Sequence, residues 1–260
     1  MLFDTHTHVN HEKYDLDRED TIQRAFDNRV DRLVEVGFDL PSSEAAVTLA
    51  RRYPKIYCAI GVHPHDAKTW TPTHLDRLAE LAEDENSVAV GEIGLDYHYD
   101  LSPRDTQQEV FRTQIRLAQK MDLPIVIHDR DAHEDVMRVL KEENARNVLL
   151  HCFSGDLEMA KIALKRGYML AFGGSLTFKK SVAPDILAHI PLSEIVIETD
   201  CPYLTPAPYR GKRNEPSHIL YVAKKVAEVK NVSLQEVEET TYRNASRFFR
   251  IESEIPIKER

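Results

Sequence analysis

Two histidines lie two residues apart near the start of the chain, in the stretch "LFDTHTHVN". His6 and His8 follow a short apolar run, and residues two apart on a β-strand point to the same side. Taken alone, the pair fits either an exposed polar chain end or a pair of metal ligands. The rest of the sequence has to decide between these two interpretations.

Histidines and carboxylates also follow several later apolar runs. They are His63, Glu92, His128, His151 and Asp200. Burial of such a side chain is costly unless the side chain is paired or bound to a metal. Each of them alone has an ordinary explanation as a hydrogen-bonded core residue or a helix cap. Their repeated occurrence at the ends of apolar runs instead predicts one shared site.

Four imidazoles and two carboxylates supply six donors, which is enough for two divalent ions. They belong to His6, His8, Glu92, His128, His151 and Asp200. Imidazole combined with carboxylate accepts Zn, Mn, Ni or Fe, and Mg is also compatible with the carboxylates. We therefore expect two divalent metal ions per chain, of an identity that the donor types do not fix.

Eight apolar runs alternate with amphipathic segments and so predict repeated βα units. The runs cover residues 2–5, 32–36, 56–62, 88–93, 124–127, 148–150, 168–173 and 195–198. Helix-start signals include Ser42, Thr71-Pro72 and Ser102-Pro103. Eight units in a chain of 260 residues predict an α/β fold, a (β/α)₈ TIM barrel with the metal site at the C-terminal mouth of its strands. An open doubly wound sheet is the alternative, but no Gly-x-Gly-x-x-Gly loop follows the first run.

Composition and charge limit the functional classes. Hydrophobic residues make up 42% and charged residues 30%, as in ordinary globular proteins. No stretch is long and apolar enough for a membrane span, and no secretory signal is visible. The net charge of −9 argues against a broad nucleic-acid-binding face, although a local site with bound metal or a few arginines stays possible. We expect a single hydrolase domain over residues 1–251 and a polar C-terminal tail over 252–260.

The three cysteines indicate a reducing compartment. Cys58, Cys152 and Cys201 are too few and too scattered for a disulfide framework, so a cytoplasmic location is expected. Cys152 and Cys201 directly follow His151 and Asp200, and neighbouring residues on a strand alternate sides. Both thiols are therefore interpreted as small buried hydrophobes rather than as ligands.

The combined motifs resemble those of the TatD family of metal-dependent deoxyribonucleases within the amidohydrolase-like hydrolases. The resembling segments are "FDTHTHVN", "AIGVHPH", "VGEIGLDY", "PIVIHDRDA", "HCFSG", "ETDCPYLTP" and "YRGKRNEP". This resemblance implies that His6 and His8 bind one metal, that His128 and His151 bind the second, and that Glu92 bridges both. It also implies that Asp200 ligates the first metal and deprotonates the attacking water, and that His63 and the "RGKRN" stretch hold a substrate phosphate.

The leading hypothesis is therefore a deoxyribonuclease that hydrolyses phosphodiesters from DNA ends or single strands by a metal-bridged hydroxide. Catalysis would depend on Asp200 and Glu92. A small-molecule amide or lactone hydrolase and an aminoacyl-tRNA deacylase are alternatives, because the same metals can polarise a carbonyl. A metal-stabilised barrel without catalysis is a third alternative. No membrane and no obligatory protein partner is expected.

Other side chains are predicted to support the metals and the substrate. Arg130, Arg210 and Arg213 can each offer a planar donor fork to a phosphate. On a regular strand Asp4 faces the side of His6 and His8, and Glu198 faces the side of Asp200. Asp4 is expected to orient one imidazole, and Glu198 to support the ligands without binding metal. Trp70 and Tyr97 could stack on bases, but packing against the barrel wall explains them equally well.

Overall fold

A computed structural model of the chain describes residues 1–252. Its strands are β1 (Leu2–Thr7), β2 (Val30–Val36), β3 (Ile56–Ile60), β4 (Ser87–Asp96), β5 (Ile125–Arg130), β6 (Val148–Leu150), β7 (Met169–Phe172) and β8 (Ile195–Ile197). Its helices are α1 (Arg18–Asp27), α2 (Leu40–Arg52), α3 (Pro72–Ala82), α4 (Arg104–Met121), α5 (His133–Glu142), α6 (Leu157–Lys165), α7 (Ala183–Ala188), α8 (Ile219–Lys230) and α9 (Leu234–Phe249).

The eight strands form one sheet in chain order, from β1 to β8. A parallel bridge between Thr7 and Cys201 connects the end of β1 to the residues that follow β8. Parallel strands that alternate with helices and join the first strand to the last make up a (β/α)₈ barrel. The predicted fold class is therefore confirmed.

The chain divides into two compact units. One comprises residues 1–33 and the chain from residue 171 onward, and the other comprises residues 34–170. The expected single domain over residues 1–251 stays a prediction. Of the expected polar tail over 252–260, Glu252 is described and exposed, and the remainder lies outside the described residues.

In the first unit, α9 packs on β1 through aromatic side chains. The ring of Phe3 lies 5.8 Å from that of Tyr242 and 6.1 Å from that of Phe249, measured between centroids. The Tyr242 hydroxyl donates to the buried carboxylate of Asp31 over 2.6 Å. These contacts bury the aromatic face of α9 and fix the N-terminal strand, which carries the first two histidines.

In the second unit, two buried amides of α4 hold the ends of neighbouring strands. The Gln114 side chain accepts from the backbone N–H of Val62 over 2.7 Å and donates to its carbonyl over 3.0 Å. The Gln107 side chain does the same for Asp96, over 2.9 Å and 3.1 Å. Backbone groups beyond the regular ladder are thus satisfied without water, which keeps the C-terminal ends of these strands ordered.

The boundaries of several strands differ from those expected. β3 ends at Ile60 rather than at 62, and His63 then caps a short 3₁₀ helix, Pro64–Thr69. β4 continues to Asp96, three residues beyond the expected end. The described helices include none that combines the length and the apolar composition needed to cross a bilayer.

Candidate metal centre

The first unit brings His6, His8 and Asp200 together. The Nε2 atoms of the two imidazoles lie 3.1 Å apart. The Asp200 Oδ1 lies 3.9 Å from Nε2 of His6 and 3.6 Å from Nε2 of His8. The side chains of His6, His8 and Asp200 are 0%, 7% and 14% exposed, so three atoms that could bind a metal converge where little solvent reaches them. We call these three residues the first cluster.

Backbone contacts between the ends of β1 and β8 position the first cluster. The N–H of Asp200 donates to the carbonyl of His6 over 3.0 Å, and the N–H of His8 donates to the carbonyl of Cys201 over 2.9 Å. Asp200 has a φ of 54°, a left-handed conformation that aspartate tolerates better than most residues. Such a backbone outlier beside converging imidazole and carboxylate groups is typical of a functional site.

Asp4 holds this arrangement from within β1, although its partner differs from the expected imidazole. Its carboxylate accepts from the Thr199 backbone N–H over 2.9 Å and from the Thr199 hydroxyl over 2.6 Å. Burial raises the pKa of Asp4 well above its usual value. Asp4 therefore fixes the residue before Asp200, while Glu198, fully buried, lies one position earlier.

The second unit gathers imidazoles around Glu92. Its Oε1 lies 2.7 Å from Nδ1 of His128, 3.3 Å from Nε2 of His151 and 3.8 Å from Nε2 of His63. The Glu92 side chain is 6% exposed. We call Glu92, His128 and His151 the second cluster. The ligating atoms of His63, Glu92 and His128 all lie within 4.8 Å of one another.

Two features of β4 position the side chains of the second cluster. The register between β4 and β5 shifts between Val90 and Ile93, and such irregularities re-aim side chains at functional sites. Gly94, two residues after Glu92, has a φ of +147°, and a Cβ there would lie 1.9 Å from the carbonyl oxygen of His128. The close approach of β4 to β5 at His128 therefore requires glycine.

A carboxylate that sequence reasoning missed, Asp96, anchors the second cluster from the end of β4. Its Oδ2 lies 2.8 Å from Nε2 of His65 and 3.1 Å from Nε2 of His128. Its Oδ1 accepts from the backbone N–H groups of His98 and Tyr99. Glu92, Gly94 and Asp96 alternate along one strand and so share a face, which is the signal that could have identified Asp96.

Burial and these hydrogen bonds shift the pKa values of the buried groups in the second unit. Burial alone would raise the pKa of Asp96, but hydrogen bonds from His128 and His65 hold it well below its usual value. Burial opposes the charged form of His128, yet its bonds to Asp96 and Glu92 raise its pKa to about 9. His63 is also buried, and burial lowers its pKa well below its usual value.

The hydrogen bonds of His63 indicate its tautomer. The Nδ1 of His63 accepts from the backbone N–H of His65 over 3.1 Å. In a neutral imidazole the other nitrogen then carries the proton, so Nε2 is a donor that faces the Glu92 side of the cluster. Through Nε2 this imidazole therefore suits a hydrogen bond to an oxygen acceptor better than a bond to metal.

The three candidate arginines have different surroundings. Arg213 forms a bidentate pair with Asp17, both contacts being 2.7 Å long, and its guanidinium lies over the Tyr14 ring. Arg210 lies over the ring of Phe178 at 3.8 Å. Arg130 is exposed, and its guanidinium lies 4.7 Å from the Tyr99 ring centroid.

Of the two aromatic side chains considered as base stackers, the Trp70 ring stacks on the His74 ring, and the Tyr97 hydroxyl donates a hydrogen bond to Asp135.

The two cysteines that follow His151 and Asp200 differ in burial. Cys152 is half-buried, whereas Cys201 is fully buried, and burial raises the pKa of the Cys201 thiol.

The donor chemistry of both clusters fits divalent cations. Each cluster places imidazole nitrogens against carboxylate oxygen at 2.7–3.9 Å, and such buried groups require either strict charge pairing or a metal. Mixed imidazole and carboxylate ligands suit transition-metal ions.

Comparison with known proteins agrees with this chemistry. The profile of the TatD-related DNase family matches residues 3–250. A metal-dependent hydrolase of Bacillus subtilis, YabD, is 50% identical over 254 residues, which cover 96% of this chain and all of the relative. TatD of Shigella flexneri, named a 3′-5′ ssDNA/RNA exonuclease, is 32% identical over 96% of this chain and 99% of its own.

Solved structures give the same result. The TatD homologue YjjV of Escherichia coli superimposes with a TM-score of 0.92 at 28% identity, over 96% of this chain and 98% of that protein. The resemblance read from the motifs is thus confirmed, and the protein is a metal-dependent hydrolase that belongs to the TatD-related DNase family.

Proposed function

We propose that this hydrolase is an exonuclease that removes nucleotides from the 3′ end of single-stranded DNA. The observation that carries the proposal is the pair of buried imidazole and carboxylate clusters, in a chain of the DNase family. Relatives named as 3′-5′ ssDNA/RNA exonucleases support the polarity and make RNA a second substrate.

Each cluster is proposed to hold one divalent ion. His6, His8 and Asp200 would bind the first, and His128 and His151 the second, with Glu92 as the bridging carboxylate that the family pattern implies. Two such ions supply Lewis-acid stabilisation of the phosphate charge and of the attacking and leaving oxygens. YabD, described as metal-dependent, supports the requirement for metal.

The protein's own residues position the substrate and move the proton. Asp200, 14% exposed and held by the β1–β8 contacts, would accept the proton of the attacking water. The water oxygen bonds to phosphorus as the bond from phosphorus to the leaving oxygen breaks, and the leaving oxygen takes a proton from solvent to become the 3′ hydroxyl of the shortened strand. His63 would donate from Nε2 to a phosphate oxygen, and Arg130 would pair with phosphate charge. Arg210 is proposed to contact phosphate from its own loop, whereas Arg213 is proposed to order that loop through Asp17.

An exonuclease assay tests the proposal. End-labelled single-stranded DNA and RNA are incubated with a series of Mg, Mn, Zn, Ni and Fe, with and without chelator. We expect release of mononucleotides that chelation abolishes and that Asp200→Asn lowers about 10²–10⁴-fold. Asp185→Asn, an exposed carboxylate of the same unit, is the matched control and should retain full activity.

The alternatives are decided in the same experiment. Aminoacyl-tRNA and a panel of lactones, cyclic amides and esters are assayed beside the nucleic acids, and metal content is measured on the same samples. Metal-loaded protein that hydrolyses a panel compound but no nucleic acid would overturn the exonuclease proposal. Metal-loaded protein that hydrolyses nothing would favour a metal-stabilised scaffold.

A further inference from the structure

An exposed tyrosine lies beside the second cluster. Tyr99 follows β4, and 53% of the residue is exposed. Among the large apolar residues that are exposed within residues 1–252, Tyr99 and Tyr203 are the aromatic ones. A single exposed ring is ordinary on a protein surface, so the groups around Tyr99 decide whether it has a further role.

A cation accompanies this ring. The Arg130 guanidinium lies 4.7 Å from the centroid of Tyr99. In the described part of the chain no carboxylate pairs with this guanidinium, in contrast to Arg213, which is held by Asp17 at 2.7 Å. Arg130 thus keeps its donor fork available for an anion in a protein of net charge −9.

The ring is fixed relative to a proposed metal ligand. The N–H of Tyr99 donates to Oδ1 of Asp96 over 2.8 Å, and Oδ2 of the same carboxylate lies 3.1 Å from Nε2 of His128. The Tyr99 ring also meets the His65 ring at 5.4 Å, edge to face. One buried carboxylate therefore holds both the His128 imidazole and the Tyr99 backbone, so the ring has a defined place beside the second cluster.

We propose that Tyr99 and Arg130 form a nucleotide subsite, in which the tyrosine ring stacks on a base and the guanidinium binds a neighbouring phosphate. Aromatic rings beside cations are the usual platform for single-stranded nucleic acids, and stacking tolerates any base. A base must leave its duplex to lie on this ring, so the subsite selects unpaired ends. The inference rests on the proposed nuclease function and adds the residues that give it strand preference.

Substitutions combined with abasic substrates test the subsite. Kd for a single-stranded oligonucleotide is measured by fluorescence anisotropy without divalent metal, and KM and kcat are measured with metal. We expect Tyr99→Ala to raise Kd and KM roughly 5- to 100-fold with little change in kcat, and Tyr99→Phe to behave as wild type. Leu101→Ala, an equally exposed apolar residue of the same loop, is the matched control and should change neither.

Oligonucleotides with an abasic residue at each of the last three positions in turn separate a loss of stacking from a general loss of binding. At one of these positions the abasic residue should weaken binding by the wild type, and Tyr99→Ala should then weaken binding no further. Arg130→Ala should weaken binding of all the oligonucleotides by the same factor. A Tyr99→Ala effect that is absent, or that persists with every abasic oligonucleotide, would overturn the subsite. Wild-type protein that binds in this base-dependent way but cleaves no nucleic acid would contradict the nuclease function and leave the subsite standing.

Discussion

Asp96 shows how much of the site depends on a residue outside the proposed set of metal ligands. The carboxylate is fully buried and accepts from His65 and His128 through one oxygen. Asp96→Asn leaves one of its two oxygens and replaces the other with a donor, so His128 loses its orientation or its tautomer. Loss of such a partner typically costs 10–100-fold in metal affinity, and we expect that loss by calorimetric titration with Zn or Mn.

The control for Asp96 is another carboxylate that pairs with histidine in the same unit. Asp131 lies 2.9 Å from Nδ1 of His98 and is 66% exposed. Asp131→Asn should leave metal affinity unchanged. Equal affinities for wild type and Asp96→Asn, in folded protein, would show that His128 does not need this anchor.

Asp17 determines a pH dependence of stability. Hydrogen bonds from Arg213 and Arg24 hold its pKa well below the usual value for aspartate. A carboxyl group with a depressed pKa stabilises the fold above its unfolded pKa, about 4, and this contribution is lost as the pH falls toward the lower folded value. We expect Asp17→Asn to cost about 1 kcal/mol in urea unfolding at pH 7, with a difference from wild type that shrinks below about pH 4. An equal difference at pH 7 and pH 3 would contradict this account.

At the residue scale, types and spacing indicated the imidazoles and carboxylates of the two clusters, but neither Asp96 nor the hydrogen-bond partners of these groups. His6 and Asp200 are separated by most of the chain and still converge, because both follow apolar strands. The partner of Asp4 was expected to be an imidazole and is Thr199, since a carboxylate in a strand can bond sideways to the residues that follow the neighbouring strand. No sequence pattern marks Asp17 as the partner of Arg213, because neither residue directly follows an apolar strand that would fix its position.

At the element scale, Gly94 decides how closely β4 approaches β5. A Cβ there would lie 1.9 Å from the His128 carbonyl oxygen, and the φ of +147° disfavours any side chain. Gly94→Ala should therefore lower the free energy of unfolding by roughly 1–3 kcal/mol or more and displace His128. Denaturant unfolding and metal content measure the two effects. Gly167→Ala, with a φ of +75° but nothing within 4 Å, isolates backbone strain and should cost about 1 kcal/mol without loss of metal.

Element existence was easier to predict than element boundaries. All eight apolar runs are strands, because burial on both faces of a parallel sheet leaves a continuous apolar signal. The ends were less clear, since the polar residues of β4 up to Asp96 no longer look like a buried strand. Ser42 was expected to start α2, yet Asp39 is the cap and Ser42 completes the capping box with it.

At the scale of the whole molecule, the net charge of −9 constrains how a polyanion can bind. A broad basic face would neutralise many phosphates, but most of the described arginines pair with carboxylates, as Arg112 and Arg116 do with Glu143. Binding should therefore depend on few phosphate contacts, on the proposed metals and on base stacking. With so few contacts, the protein should cover only a few nucleotides at the end of the nucleic acid. Without a broad basic face to steer the polyanion, association should also be slow.

The salt dependence of binding measures that footprint. For single strands, log K falls with log salt by about 0.7 for each phosphate neutralised, so two or three contacts predict a slope of about −1.4 to −2.1. Arg130→Ala should reduce the magnitude of this slope by about 0.7, because one phosphate loses its cation. Lys161→Ala removes an exposed cation that pairs with Glu158 and should leave the slope unchanged. Anisotropy titrations over 50–300 mM KCl measure the slope. A value steeper than about −4 would mean that the nucleic acid follows an extended basic surface, and the end-binding footprint would then be wrong.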